Sequence, residues 1–186
     1  MTISLILSGR QSVRAFANRT IDPETLTDLF EAARWAPSNG NRQPWRFIVR
    51  ESNEARAALS PCLTRGNQWA LAAPVLAVLV TRVSEDSLSN GIPYAFYDCG
   101  LAAMSLVVEA ETRGLRVHQM AGWNREPLVA LLHLPENVDP VTVIAIGYEG
   151  DASLLSPELQ EKERRQRIRK PLDQVWTKDL WSESWE

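Results

Sequence analysis

RWAPSNGNRQPWRFIV, residues 34–49, joins a helical run to a strand through a loop crowded with polar groups. Pro37 stops the helix, because a proline pushes the residue before it out of the helical region. Trp45 opens an apolar stretch of strand length. Between them stand Ser38, Asn39, Asn41 and Gln43. Two readings are open at this point. Such residues make ordinary turns by bonding their own backbone, and they also hold polar ligands.

Working outward, Asp22 and Pro23 mark the helix start upstream, a capping side chain followed by proline at the first helical position. Leu26, Leu29, Phe30 and Ala33 then recur at helical spacing. Residues 2–8 read as a short amphipathic helix, 45–50 as a strand and 53–60 as a short helix. APVLAVLVT, 73–81, is apolar throughout, as a strand covered on both faces must be. The helix predicted over 95–113 carries Cys99, Leu101, Ala102, Ala103, Met104, Leu106, Val107, Val108 and Ala110. Those positions go almost all the way round, so the helix is expected to be buried all round, partly against a second chain. Gly114 suits its C-terminal cap. A strand over 116–120, a helix over 125–132 and a strand over 141–148 complete the pattern.

The chain has 186 residues, 45% hydrophobic and 23% charged, which fits one domain with a real core. A net charge of −3 gives no general attraction to nucleic acid or to anionic membrane. Cys62 and Cys99 lie among apolar or small neighbours and read as reduced, buried thiols. The apolar run near the N-terminus is too short to span a bilayer and lacks the basic start of a secretory signal. A cytoplasmic protein is therefore expected. The last 36 residues are rich in charge yet hold Trp176, Trp181 and Trp185, which points to an arm that docks, with the partner subunit as the candidate surface.

Several chemistries have no matching motif. The chain has no G-x-G-x-x-G fingerprint, no Walker loop and no G-x-S-x-G elbow. His118 and His133 have no partner at metal-ligand spacing, so no metal site is expected. An enzyme built this way relies on a bound cofactor. Three polar clusters are available to hold one. GRQSVR, 9–14, sets Arg10, Ser12 and Arg14 close together, a grip for an anion or a polar ring. The 38–43 loop is the second. ERRQRIRKPL, 163–172, is the third, open to readings as a solvated helix, a phosphate site or a nucleic-acid contact.

Taken in order, R-x-S-x-R, A-P-S-x-x-N-x-Q-P-W, the apolar helix ending at Gly114, HQMAGW, I-G-Y and R-x-R-K-P-L resemble the nitroreductase-like family of FMN-dependent oxidoreductases over nearly the whole chain. The resemblance implies an α+β fold, a mainly antiparallel sheet flanked by helices, in one domain over 1–186. It also implies an intertwined homodimer, with residues 150–186 as an arm on the partner subunit. It assigns Arg10, Gln11, Ser12 and Arg14 to FMN. Pro37, Ser38, Asn39 and Asn41 match the loop that reaches the flavin of the other subunit. Asn67 matches a position at the edge of the ring, and Arg167 and Arg169 match the basic pair at the phosphate. Ala121 and Gly122 match the segment that offers N–H groups beside the reactive face. Some members carry an acidic residue where this chain has Ala121, so a carboxylate role is lost here.

The activity implied is hydride transfer from NADH or NADPH through flavin N5 to a small electron-poor acceptor, such as a nitroaromatic or a quinone, by a ping-pong route. No side-chain nucleophile is needed, which agrees with the missing relays. The alternatives are a specialised relative, such as a reductive dehalogenase or an enal reductase, or a non-catalytic flavin- or nucleic-acid-binding protein using the basic run. The short stretch from Val83 to Tyr94 is expected to leave the pocket open.

Overall fold

Asp22 opens the first long helix as its sequence requires: its carboxylate accepts the Thr25 N–H at 2.8 Å, with Pro23 at the first position. In the computed structural model, which describes residues 3–82, 88–89 and 91–181, the helices are α1 (Leu5–Gly9), α2 (Pro23–Arg34), α3 (Asn53–Ala57), α4 (Ala95–Thr112), α5 (Arg125–Leu132) and α6 (Pro157–Arg164). The strands are β1 (Trp45–Arg50), β2 (Val75–Thr81), a two-residue pair β3 (Leu88–Ser89) and β4 (Ile92–Pro93), then β5 (Leu115–Met120) and β6 (Asp139–Tyr148). The four long strands form one sheet in the order β1-β2-β6-β5, and every pairing in it is antiparallel.

The apolar run at 75–81 is explained by burial on both faces. Val75, Ala77 and Leu79 join the core under α2 and α4. Leu76, Val78 and Val80 join a second core with Leu59, Leu63, Trp69 and Leu128. Successive side chains of a strand point to opposite faces, so a strand covered twice reads as continuously apolar even with antiparallel neighbours.

The helix expected over 53–60 stops at Ala57, and two 3₁₀ stretches follow, Ser60–Cys62 and Arg65–Ala72. Pro61 has no N–H for a continuing helix. The all-round burial expected of α4 holds on one face of the single chain. Ala95, Cys99, Ala102, Ala103, Leu106, Val107 and Ala110 are buried. On the opposite side Phe96 and Tyr97 are exposed, and Leu101, Met104 and Val108 are half-buried. Gly114, at φ +71°, ends the helix in the left-handed conformation.

One close approach matters for the site. Ala15–Ala17 runs beside the end of β6: Ala17 N–H donates to the Tyr148 carbonyl and Gly150 N–H to the Ala15 carbonyl, both at 2.9 Å. A Cβ on Gly150 would stand 2.5 Å from the Phe16 carbonyl carbon, so glycine is what lets the two backbones meet.

In the arm, Trp176 and Trp181 are exposed. Trp185 and much of the stretch from Val83 to Tyr94 lie outside the described residues. Among the described residues no helix is long and apolar enough to cross a membrane.

Candidate functional site

With Ala15–Ala17 fixed on β6, the residues before it are held above the sheet. Val13 and Ala15 turn inward, while Ser12 is exposed and Arg14 half-buried, the alternation of an extended segment. Arg10 donates to the Ser12 hydroxyl at 3.2 Å. The other wall comes from the end of the chain. The Glu163 carboxylate accepts the backbone N–H of Arg14 and, at 3.0 Å, that of Ala15. It also faces the Arg14 guanidinium at 3.7 Å. The Arg167 guanidinium donates to the carbonyls of Ser8 and Arg10. Together these segments enclose a cleft of about 480 Å³ lined by Arg10, Gln11, Ser12, Arg14, Glu163, Arg167 and Arg169 among others. Arg164 and Arg165 line it too, Arg165 paired with Glu161 at 3.1 Å. One carboxylate among so many guanidinium groups makes the cleft strongly electropositive, a site for an anion.

Beneath the cleft lies an aromatic layer. Trp69 stacks on Phe16 with centroids 6.2 Å apart and on His118 at 4.5 Å, and the Arg14 guanidinium sits 6.0 Å from the Trp69 ring centre. His118 Nδ1 lies 2.8 Å from the Val13 carbonyl. Burial is the main cause that pushes the His118 pKa below its ordinary value.

Asn67 and Gly122 are brought together as well. Asn67 Nδ2 and Thr64 Oγ1 both donate to the Gly122 carbonyl at 3.0 Å, and Thr64 N–H donates to it at 3.1 Å. A Cβ at position 122 would stand 2.5 Å from Asn67 Nδ2 and 2.8 Å from Thr64 Oγ1. Ala121, beside it, is exposed.

The 37–41 loop is elsewhere: Pro37, Ser38, Asn39 and Asn41 are not among the residues lining the cleft of their own chain. Part of the loop's polarity goes to its own turn. Ser38 Oγ accepts the Gln43 N–H at 3.0 Å, and Gln43 Nε2 donates to Asn41 Oδ1 at 3.0 Å. Gly40, Asn41 and Gln43 all have positive φ. The loop is anchored by Asp98, 2% exposed, whose carboxylate accepts the Asn39 N–H at 3.0 Å. Asn39 Nδ2, by contrast, is buried without a hydrogen-bond partner. A second groove, about 530 Å³, runs past Arg42, Gln43, Arg46, Ile48, Val80 and Leu134.

Glu163, Asp98 and His118 are the functional-site residues that sequence reasoning missed. Glu163 stands in a charge run, Asp98 inside an apolar helix, and His118 was considered only as a metal ligand. Among the described residues no group of His, Cys, Asp and Glu could hold a metal ion.

A match to the Nitroreductase family covers residues 7–68 and 63–148. This chain belongs to the nitroreductase family. An Archaeoglobus fulgidus protein provisionally named NADH dehydrogenase/NAD(P)H nitroreductase is 30% identical over 148 residues, 76% of this chain and 82% of that one. The Bacillus subtilis FMN reductase [NAD(P)H] is 27% identical, over 84% of this chain and 69% of that one. A solved structure described as an oxidoreductase containing FMN superposes with a TM-score of 0.88 at 30% identity, covering 98% of this chain and 94% of that one. The nitroreductase match includes 10–14, 37–41, Asn67, Ala121 and Gly122. Glu163, Arg167 and Arg169 lie beyond it.

Proposed function

We propose that this nitroreductase-family chain is an FMN-dependent oxidoreductase that draws hydride from NADH or NADPH and reduces a small, flat, electron-poor acceptor, with nitroaromatics and quinones as laboratory examples. The observation that carries the reading is the meeting of Arg10, Ser12 and Arg14 with Arg167 and Arg169 in one cleft.

The donor set fits the cofactor. A terminal phosphate is matched by guanidinium groups, which bind it through paired, charge-assisted hydrogen bonds. Arg10, Arg167 and Arg169 would hold it, with the Ser12 hydroxyl beside them. Arg14, partly neutralised by Glu163, would face the ring with Gln11. Asn67, Ala121 and Gly122 would border the ring, Asn67 and Thr64 fixing the Gly122 backbone. A bound FMN supplies two-electron transfer, hydride in from the nicotinamide and hydride out to the acceptor. The chain's own work is to bind, orient and stabilise: arginines and backbone N–H groups near the ring stabilise negative charge that builds up on reduction. No side chain serves as nucleophile, and donor and acceptor use one face in turn, a ping-pong route.

The enzyme works as a homodimer of single-domain chains, 1–186, in the cytoplasm. The part-exposed apolar face of α4 and the apolar side chains of the arm over 150–186 support that reading, since exposed patches of this kind mark interaction surfaces. The unpartnered Asn39 Nδ2 supports a loop whose ligand lies in the partner's cleft.

The test is direct. The purified protein should be yellow and release FMN on denaturation. Anaerobic NADH or NADPH should bleach it, and a nitroaromatic or quinone should restore the colour, with parallel double-reciprocal lines in the steady state. A colourless protein that takes up no FMN would overturn the reading.

A further inference from the structure

We propose that His118 and Glu163 are positioning residues that clamp the Val13–Arg14 peptide unit from both ends, and so fix the direction in which Ser12 and Arg14 are presented. The inference rests on the function proposed above for what the segment holds, but the clamp itself is a property of the chain.

The Val13 carbonyl and the Arg14 N–H belong to one rigid peptide plane. Its oxygen is 2.8 Å from His118 Nδ1, and its N–H donates to Glu163 Oε1. A carbonyl only accepts, so Nδ1 carries the hydrogen. This fixes the tautomer, with Nε2 bare in the neutral ring. Burial favours that neutral form. The charged groups around the ring are Arg14 and Arg10, which oppose its protonation, and Glu163, which favours it. Trp69, itself nearly buried, packs against the imidazole and sets its plane.

Glu163 also takes the next N–H, that of Ala15, at 3.0 Å. The short stretch bearing Ser12 and Arg14 is thus held by side chains from a core strand and from the C-terminal helix, without a strand partner of its own until Ala15. A plane fixed at its oxygen and its nitrogen cannot rotate, and rotation is what would swing Arg14 away from the cleft.

The competing possibility is that His118 only packs against Trp69. Three replacements separate the two. His118→Phe keeps the ring and removes the donor. His118→Asn keeps an N–H donor at the same number of bonds from the backbone as Nδ1. His118→Gln places its donor one bond further out. Two measurements are made on each: amide hydrogen exchange of the peptide containing Arg14 and Ala15 in FMN-free protein, and the FMN dissociation constant. Loss of the donor should speed exchange and weaken FMN by about tenfold or more in the Phe and Gln proteins, the scale of one lost hydrogen bond. The Asn protein should stay within about threefold of wild type on both. Should the Phe protein not fold, the contrast between Asn and Gln decides alone. Wild-type protection and affinity in the Phe protein, or an Asn protein as impaired as the Gln one, would overturn the clamp. Wild-type protein that binds no FMN would sink the proposed function, while the exchange measurement would still decide on the clamp.

Discussion

The buried carboxylate of Asp98 accepts the backbone N–H of Asn39 at 3.0 Å, tying the first turn of α4 to the polar loop between α2 and β1. A carboxylate near a helix N-terminus is well placed electrostatically. Here it also satisfies a donor in a loop that spends three residues at positive φ. Asp98→Ala leaves that donor unpaired and should cost about 2 kcal/mol in urea unfolding. Asp98→Asn keeps an acceptor and should cost less than half as much. If the loop serves a flavin, Asp98→Ala should also lower FMN retention, although the 10–14 segment is untouched.

Arg10→Ala combined with Arg169→Ala should empty the site without unfolding the protein. The Arg10 side chain donates to an exposed Ser12 hydroxyl, and Arg169 donates only to the neighbouring Ile168 carbonyl among its resolved bonds. Two lost charge-assisted hydrogen bonds to phosphate, each about 1.5–3 kcal/mol, amount to a weakening of roughly a hundredfold or more. Absorbance after dialysis gives the bound flavin, and the thermal midpoint should stay near wild type. A double variant that remains fully yellow defeats the phosphate assignment.

Mixed dimers test which chain the loop serves. One chain carries Arg10→Ala, the other Asn41→Ala. With the loop acting across the interface both lesions fall in one site, and the other site is whole. Verified heterodimers should then hold about half the wild-type flavin, while each parent homodimer holds little, as expected when a charge-assisted contact is lost at every site. Heterodimers with no recovery would place the loop in the site of its own chain.

His118 gives a pH dependence of defined sign. Burial, its leading cause, lowers the pKa in the folded chain below the ordinary 6.5, so the unfolded chain takes up the proton first as pH falls. Stability from the neutral ring is complete above pH 6.5 and is lost progressively below it. His118→Asn removes this dependence. The unfolding free energy of wild type minus that of the variant should be flat from about pH 8 to 7 and decline toward about pH 5.5. A difference that stays flat over the whole range would contradict the shift.

Much of the framework was legible because local chemistry determined it. Asp22 and Pro23 mark the start of α2, β1 begins at Trp45 as its apolar run does, and α5 spans 125–132 as its pattern indicates. The antiparallel sheet flanked by helices agrees with the resemblance. The Arg65–Ala72 stretch was not legible, because 3₁₀ turns carry no long period and its key residue, Trp69, is placed by contacts with Phe16 and His118. In the site, the meeting of 10–14 with Arg167 and Arg169 followed the expected pattern. Glu163 did not stand out, because a carboxylate within a basic run looks solvated until two N–H groups are found pointing at it. Asp98 was hidden by its apolar neighbours for the same reason: burial makes a polar residue informative, and a sequence pattern does not print burial.

The Arg14 N–H is closed by a carboxylate 149 residues later, and the Ser8 carbonyl by a guanidinium 159 residues later. These contacts set a timetable. On the ribosome, where chains emerge N-terminus first, the 8–15 segment appears early but has nothing to close against. The sheet can assemble through β6 while the anion cleft still lacks one wall. Only when α6 and the residues after it are free of the ribosome can the wall be added. The nascent chain therefore offers no finished cleft, and acquisition of its anion belongs after release, as the last event in maturation rather than a template for the fold.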